Sequence, residues 1–125
     1  MLNDADAIAT IGVKNLAAAR DFYERVLGLK PTPQQEPGTV SYESGRSRLL
    51  VYESRFAGTN RATAVTWTVG KQLDGILSDL RSRGAVFEHY DLPGTTRDGD
   101  VHVAGHLRLA WLKDPDGNIL ALVGG

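Results

Sequence analysis

The feature that most constrains what this 125-residue chain can fold into is that it repeats itself. Val13 and Val69 each close a short β-prone segment, and they lie 56 residues apart. Gly28 and Gly84 each follow a stretch of helical periodicity, and they too lie 56 apart. A shared offset of this length points to one supersecondary unit built twice, each copy too small to bury a core alone.

In the first copy, Ile8 to Val13 alternates as a strand and Asn15 is placed as a helix N-cap. Apolar residues then recur at Leu16, Ala19, Phe22, Tyr23, Val26 and Leu27, the three-and-four spacing of an amphipathic helix. Arg20–Glu24 and Asp21–Arg25 add i,i+4 charge pairs on the wet face. Gly28 stops the helix, and Pro31 and Pro33 prevent its resumption. Val40–Glu43 and Leu49–Glu53 read as two strands joined at Ser44-Gly45-Arg46.

The second copy follows the same plan. Ala62–Val69 is rich in β-formers, and Leu73, Ile76, Leu77 and Leu80 mark a helix that stops at Gly84. Strands are expected around Ala85–Glu88, Leu107–Leu112 and Asn118–Val123, the last two joined by the turn Asp114-Pro-Asp-Gly117. Past the helices the offset grows, with Gly45 matching Gly117, 72 residues on. The second copy therefore carries an insertion, placed at Tyr90–Gly105. The expected fold class is α+β: a single domain of two βαβββ modules, at about 5–55 and 61–125.

Charge and composition narrow the function. Fourteen basic and fifteen acidic residues give a formal charge of −1, with no run of like charge. A phosphate-neutralising stripe is missing, which disfavours nucleic acid as a partner. With no cysteine, thiolate nucleophiles, disulfides and cysteine metal sites are excluded. No apolar run approaches the roughly 18 residues of a membrane span, and Met1–Ala9 carries no basic residue of a secretory leader. The expectation is a cytoplasmic protein that engages neither membrane nor nucleic acid.

Two motifs stand at this separation: Phe22-Tyr23-Glu24-Arg25-Val26-Leu27-Gly28-Leu29 after the first strand, and Trp111-Leu-Lys-Asp-Pro-Asp-Gly-Asn-Ile-Leu-Ala-Leu122 near the end. Together, over essentially the whole chain, they resemble the vicinal oxygen chelate superfamily of glyoxalase I, bleomycin-resistance proteins and extradiol dioxygenases. The resemblance implies that each module curls its mixed sheet into part of a cup, with helices packed on the outer face, and that the protein is a homodimer. It also implies metal ligands, usually His, Gln or Glu, on the first and last strands of each module.

Carried over residue by residue, those positions offer none. Counting five back from Val13 and Val69 gives Ile8 and Ala64, and four on from Gly45 and Gly117 gives Leu49 and Ala121. The divalent ions such enzymes use require imidazole or carboxylate ligands. Strand alternation adds Thr10, Gly12, Val51, Glu53, Thr66, Thr68 and Val123 to the cup-facing set. The opposite parity, Ala9, Ile11, Val13, Val65, Trp67, Val69, Leu120 and Leu122, is expected beneath the helices.

The resulting expectation is a cup of apolar residues with a few hydroxyls, lined by Ile8, Thr10, Leu49, Val51, Glu53, Ala64, Thr66, Thr68, Ala121 and Val123. Tyr90, Asp91 and Arg97 are candidate lid residues from the insertion, which otherwise reads as a surface hairpin. Such a cup suits a small organic molecule held without metal or other cofactor, in the manner of a bleomycin-resistance or other sequestering protein. The alternative is a metal-dependent or acid–base lyase, isomerase or dioxygenase-type enzyme with a non-standard site. It would draw on Glu53, His89 and His106 as catalytic candidates. His102 and His106 are read on extended chain, where four residues span about 13 Å and two rings do not share one ion unless the loop folds back.

Overall fold

The computed structural model describes residues 1–33 and 36–125. Two mixed sheets form, one from each half of the chain. The first has the order β1-β4-β3-β2 and the second β5-β10-β9-β8-β7, with β6 also on β9. The elements in chain order are β1 (Ala9–Val13), α1 (Leu16–Arg20), β2 (Lys30–Pro31), β3 (Thr39–Ser44), β4 (Ser47–Glu53), β5 (Thr63–Thr68), α2 (Leu73–Ser82), β6 (Phe87–Glu88), β7 (Thr96–Asp98), β8 (Val101–Ala104), β9 (Leu107–Lys113) and β10 (Ile119–Gly124). In each half the first strand pairs in parallel with the last, β1 with β4 and β5 with β10.

The local signals act as expected. Asn15 caps α1 by accepting from the Ala18 N–H at 3.0 Å, and the pairs Arg20–Glu24 and Arg25–Asp21 close at 2.7 and 3.0 Å. Gly28 and Gly84 take φ of 76° and 95°, the left-handed conformation that lets a helix end without a Cβ penalty. One difference is that α1 widens into a π-helical turn over Asp21–Val26 instead of continuing as α-helix. The turn still buries Tyr23 and Val26.

The core lies between helices and sheets. Ile11, Val13, Val40, Tyr42, Leu49 and Val51 from the first sheet meet Ala19, Tyr23 and Val26, while Leu112, Leu120 and Leu122 meet Leu73, Leu77 and Leu80. Val65, Trp67 and Val69 pack against the same cluster, as their parity predicts. The two expected cup residues Leu49 and Val51 belong to this core, at 2% and 1% exposure. They pair with Ala9 and Ile11, so they turn toward the helix. The expectation slipped by one residue, and a one-residue slip sends a strand's side chains to the other face. Arg48, Leu50 and Tyr52 are the residues of β4 that face the cup.

The insertion is a hairpin. β7 pairs with β8 and β8 with β9, so the segment extends the second sheet at its edge. Arg97, expected in a lid, is a strand residue of this extension, opposite His102. Among the described residues no helix is long and apolar enough to cross a membrane.

Candidate functional site

β1 and β5 are edge strands of different sheets and do not pair with each other. Where they approach, a cleft of about 400 Å³ opens, lined by Ile8, Arg48, Leu49, Ala64, Thr66 and Trp67 together with Ser44 and Ser47. Three of the four positions carried over as metal-ligand positions, Ile8, Leu49 and Ala64, thus meet at one cleft. On the second sheet, Ala121 and Val123 pair with Thr66 and Thr68, and their parity is opposite to that of the core residues Leu120 and Leu122.

Ala121 faces the cup yet is 3% exposed. It pairs with Trp111 on β9, and the Trp111 indole N–H donates to Thr63 Oγ1 on β5 at 3.3 Å. The indole therefore reaches from β9 toward β5 across β10 and covers Ala121. Trp111 continues into an aromatic cluster, with ring centroids 4.9 Å from His102 and 5.3 Å from Tyr90, both edge-on.

His102 is fully buried, and its Nε2 accepts the Tyr90 N–H at 2.9 Å. Its Nδ1 and the Tyr90 phenol oxygen are buried with no hydrogen-bond partner among the described residues. Burial pushes the Tyr90 phenol above its ordinary value. Sequence reasoning placed Trp111 on no face and treated His102 as half of a histidine pair. The register β8–β9, which sets His102 opposite Leu109 on the Trp111 face, was the missing piece.

The remaining candidates are dispersed. Glu53 ends β4 beside Val13 and is exposed near Lys14, Ser54 and Arg55. His106 is exposed in the β8–β9 turn. His89 is tied up in the hairpin: its Nε2 meets Asp100 Oδ1 at 2.7 Å and its Nδ1 meets Arg97 Nη1 at 2.5 Å. Arg81 reaches the same Asp100 at 2.9 Å, and the hydrogen bonds from His89 and Arg81 hold its carboxyl below the usual range. Among the described residues no hydrogen bond or ion pair joins Glu53, His89 and His106. Tyr90 is half-buried within the aromatic cluster, and Asp91 is exposed in the loop that precedes β7. Among the described residues no group of three or more His, Cys, Asp or Glu is placed to hold a metal ion.

The donor set at the carried-over positions does not fit a divalent ion. Ile8, Ala64 and Ala121 remain alkyl side chains there, and the β4 residues that do face the cup, Arg48, Leu50 and Tyr52, supply no imidazole or carboxylate. At the far end of β1 the cup is closed. A Cβ on Gly12 would stand 3.3 Å from Ser54 Cβ and 3.8 Å from Ala57 Cα, so the segment after β4 lies over it.

Comparison with known proteins agrees with this architecture. A putative glyoxalase family protein from Bacillus anthracis superposes with a TM-score of 0.72 at 17% identity, covering 97% of this chain and 94% of that one. A glyoxalase/bleomycin resistance protein from Catenulispora acidiphila gives 0.69 at 25% identity, over 96% and 97%. A genomically encoded fosfomycin resistance protein from Listeria monocytogenes gives 0.70 at 12% identity, over 95% and 91%. No protein of curated function matches. The family model of the Glyoxalase/Bleomycin resistance protein/Dioxygenase superfamily matches residues 6–122, and the chain belongs to that superfamily.

Proposed function

We propose that the protein binds a small organic molecule in the cleft between β1 and β5 and on the adjoining cup face, without a metal ion. The observation that supports this is the cleft itself. The positions where relatives are expected to carry ligands are alkyl side chains here, and three of the four line about 400 Å³ of space together with the hydroxyls of Ser44, Ser47 and Thr66. Apolar walls with a few placed polar groups are what organic ligands select, and the volume lies within the range of small-molecule sites.

In this reading Ile8, Ala64 and Thr66 contact the ligand first. Thr68 and Val123 continue the surface, and Thr10 lines its β1 side with its hydroxyl engaged on the Ile8 carbonyl at 3.2 Å. Ala121 lies under Trp111 and is reached only if that indole moves. The same reading takes the protein as a cytosolic homodimer, supported by the exposed Ile8, Tyr52 and Leu107 at the cup's rim. Sedimentation analysis tests the dimer.

The test of the function is a thermal melt of EDTA-stripped protein with Ni²⁺, Zn²⁺, Mn²⁺ or Fe²⁺, then with a set of small organic compounds. A ligand at a hundred times its Kd stabilises the fold by about 2.7 kcal/mol and raises the melting temperature by several degrees. The expected result is no rise with the ions and a rise with a compound that also moves the Ile8, Ala64 and Thr66 amides. A clear rise with one ion transfers the site to the lyase, isomerase or dioxygenase-type alternative.

A further inference from the structure

Arg48 faces the cup and forms no ion pair among the described residues. Alternation along β4 turns Arg48 to the cup side, and it lines the seam cleft. On β3 and β2 its row continues with Glu43 opposite Arg48 and Lys30 opposite Glu43. That row holds two cations and one anion, and none of the three forms an ion pair among the described residues. The cup-side cations of the second sheet are already engaged, Lys113 with Glu88 at 3.3 Å and Arg97 with His89. No carboxylate lines the cleft itself.

The hydroxyls that line the cleft divide into used and available donors. Trp67 donates its indole N–H to Ser44 Oγ at 2.8 Å, which leaves the Ser44 proton available. Ser47 gives its own proton to the Ser44 carbonyl at 2.8 Å. The Thr66 hydroxyl has no partner among the described residues. The cleft therefore combines a guanidinium fork and the Thr66 hydroxyl with the alkyl surface of Ile8 and Ala64. A planar fork with no partner matches the two oxygens of an oxyanion, and desolvation beside alkyl groups strengthens that pairing.

We propose that the cleft recognises a small amphiphilic oxyanion, a carboxylate or phosphonate on a compact apolar body, and that Arg48 sets this specificity with Thr66 as a supporting donor. The proposal rests on reading the cleft as the ligand site. Arg48 is exposed and makes no hydrogen bond or ion pair among the described residues, so its variants are expected to fold.

The experiment titrates benzoate, phenylphosphonate and neutral benzamide into the full chain and into Arg48→Gln and Arg48→Lys. Binding is followed by calorimetry and by amide chemical shifts, and the spectra of the unliganded variants report their folding. At least one of the two acids is expected to move the Ile8, Ala64 and Thr66 amides. Benzamide is expected to bind at least tenfold more weakly than that acid. Arg48→Gln is expected to lose at least tenfold for the acid and nothing for benzamide, with Arg48→Lys between. Which acid binds distinguishes a carboxylate site from a phosphonate site. Equal affinity for acid and amide, or an Arg48→Gln protein that binds the acid unchanged, overturns the oxyanion assignment and leaves the cleft a ligand site. Inorganic phosphate binding as tightly as phenylphosphonate overturns the requirement for an apolar body. Cleft amides that move with none of the probes overturn the assignment and the ligand-site reading together.

Discussion

Tyr23 donates its phenol O–H to Asp114 Oδ2 at 2.8 Å, tying the first helical segment to the last turn of the chain. Both residues are buried. The other carboxylate oxygen, Oδ1, accepts the N–H groups of Asp116 and Asn118 at 3.0 and 2.8 Å. The Asn118 amide donates to Asp114 Oδ2 at 2.7 Å and to the Gly12 carbonyl at 2.9 Å. The turn that reads as simple punctuation in the sequence is thus a polar clamp between the two halves. Tyr23→Phe removes one donor to a buried charged acceptor, and we expect it to cost about 2 kcal/mol in urea unfolding. Asp114→Ala strands four donors and is expected to cost more. A Tyr23→Phe loss below about 0.5 kcal/mol would sink this account.

The same pair sets an alkaline limit. Burial first, and then the Asp114 carboxylate, push the Tyr23 phenol above its ordinary value. Tyr42 moves the same way, through burial and then its hydrogen bond to Glu24. A raised folded-state pKa contributes stability that is full below the unfolded value of about 10 and is lost as pH rises beyond it. Stability measured between pH 8 and 11 should therefore fall in the upper part of that range. Tyr23→Phe is expected to flatten the fall, and an unchanged slope would contradict the assignment.

Tyr90 offers the opposite sign for the identical chemical change. Its phenol oxygen is buried with no partner among the described residues, so the hydroxyl contributes desolvation cost and no bond. Tyr90→Phe is expected to be neutral or to stabilise by up to about 1 kcal/mol, where Tyr23→Phe destabilises. Parallel urea titrations decide it. A clear loss on Tyr90→Phe would show that the hydroxyl is bonded.

Asp100 joins three elements, taking Arg81 from α2 and His89 from beyond β6 while itself leading into β8. Its carboxyl is held below the usual range by His89 first and Arg81 after. A depressed folded-state pKa contributes stability that is present above the unfolded value of about 3.9 and lost as pH falls below it. Asp100→Asn should cost about 0.5–1 kcal/mol near pH 7, a modest figure because the groups are partly exposed. The gap between variant and wild type should close below about pH 3. Faster amide exchange at Val101 and Val103 in the variant would locate the loss in the β7–β8 hairpin. A gap that persists undiminished at low pH would rule out the charge as its source.

How far the sequence could be read depended on how cleanly each strand alternates. β5 runs Thr63-Ala-Val-Thr-Trp-Thr68, with polar or small residues against large apolar ones, and Val65 and Trp67 pack on the core as that pattern predicts. β4 contains Leu49-Leu50-Val51 in a row, so its own pattern names no buried face. The clue lay one strand earlier. In Thr39-Val-Ser-Tyr-Glu43 only Val40 and Tyr42 are apolar, and the hairpin register sets them opposite Val51 and Leu49. Reading β3 first would have turned Arg48 into the cup. The cluster of His102, Tyr90 and Trp111 was beyond such reasoning, because it arises where an insertion with no counterpart in the first half pairs with β9.

Trp111 is the cover of that cluster, which gives it a test independent of any ligand. Its indole meets His102 edge-on at 4.9 Å, and His102 has no exposed surface. Trp111→Ala should remove roughly 3 kcal/mol of stability, the lower end for a large aromatic because the residue is only half-buried. The same variant should open His102 to solvent. Treatment with diethylpyrocarbonate followed by peptide mass spectrometry should find no adduct at His102 in the wild type, and one in Trp111→Ala under conditions where the protein remains folded. Exposed His106 serves as the internal standard for reagent activity in both proteins. Trp111→Phe, which keeps an aromatic ring over the site, is expected to leave His102 protected. Equal modification of His102 and His106 in the wild type would mean that the indole does not close this face of the cup.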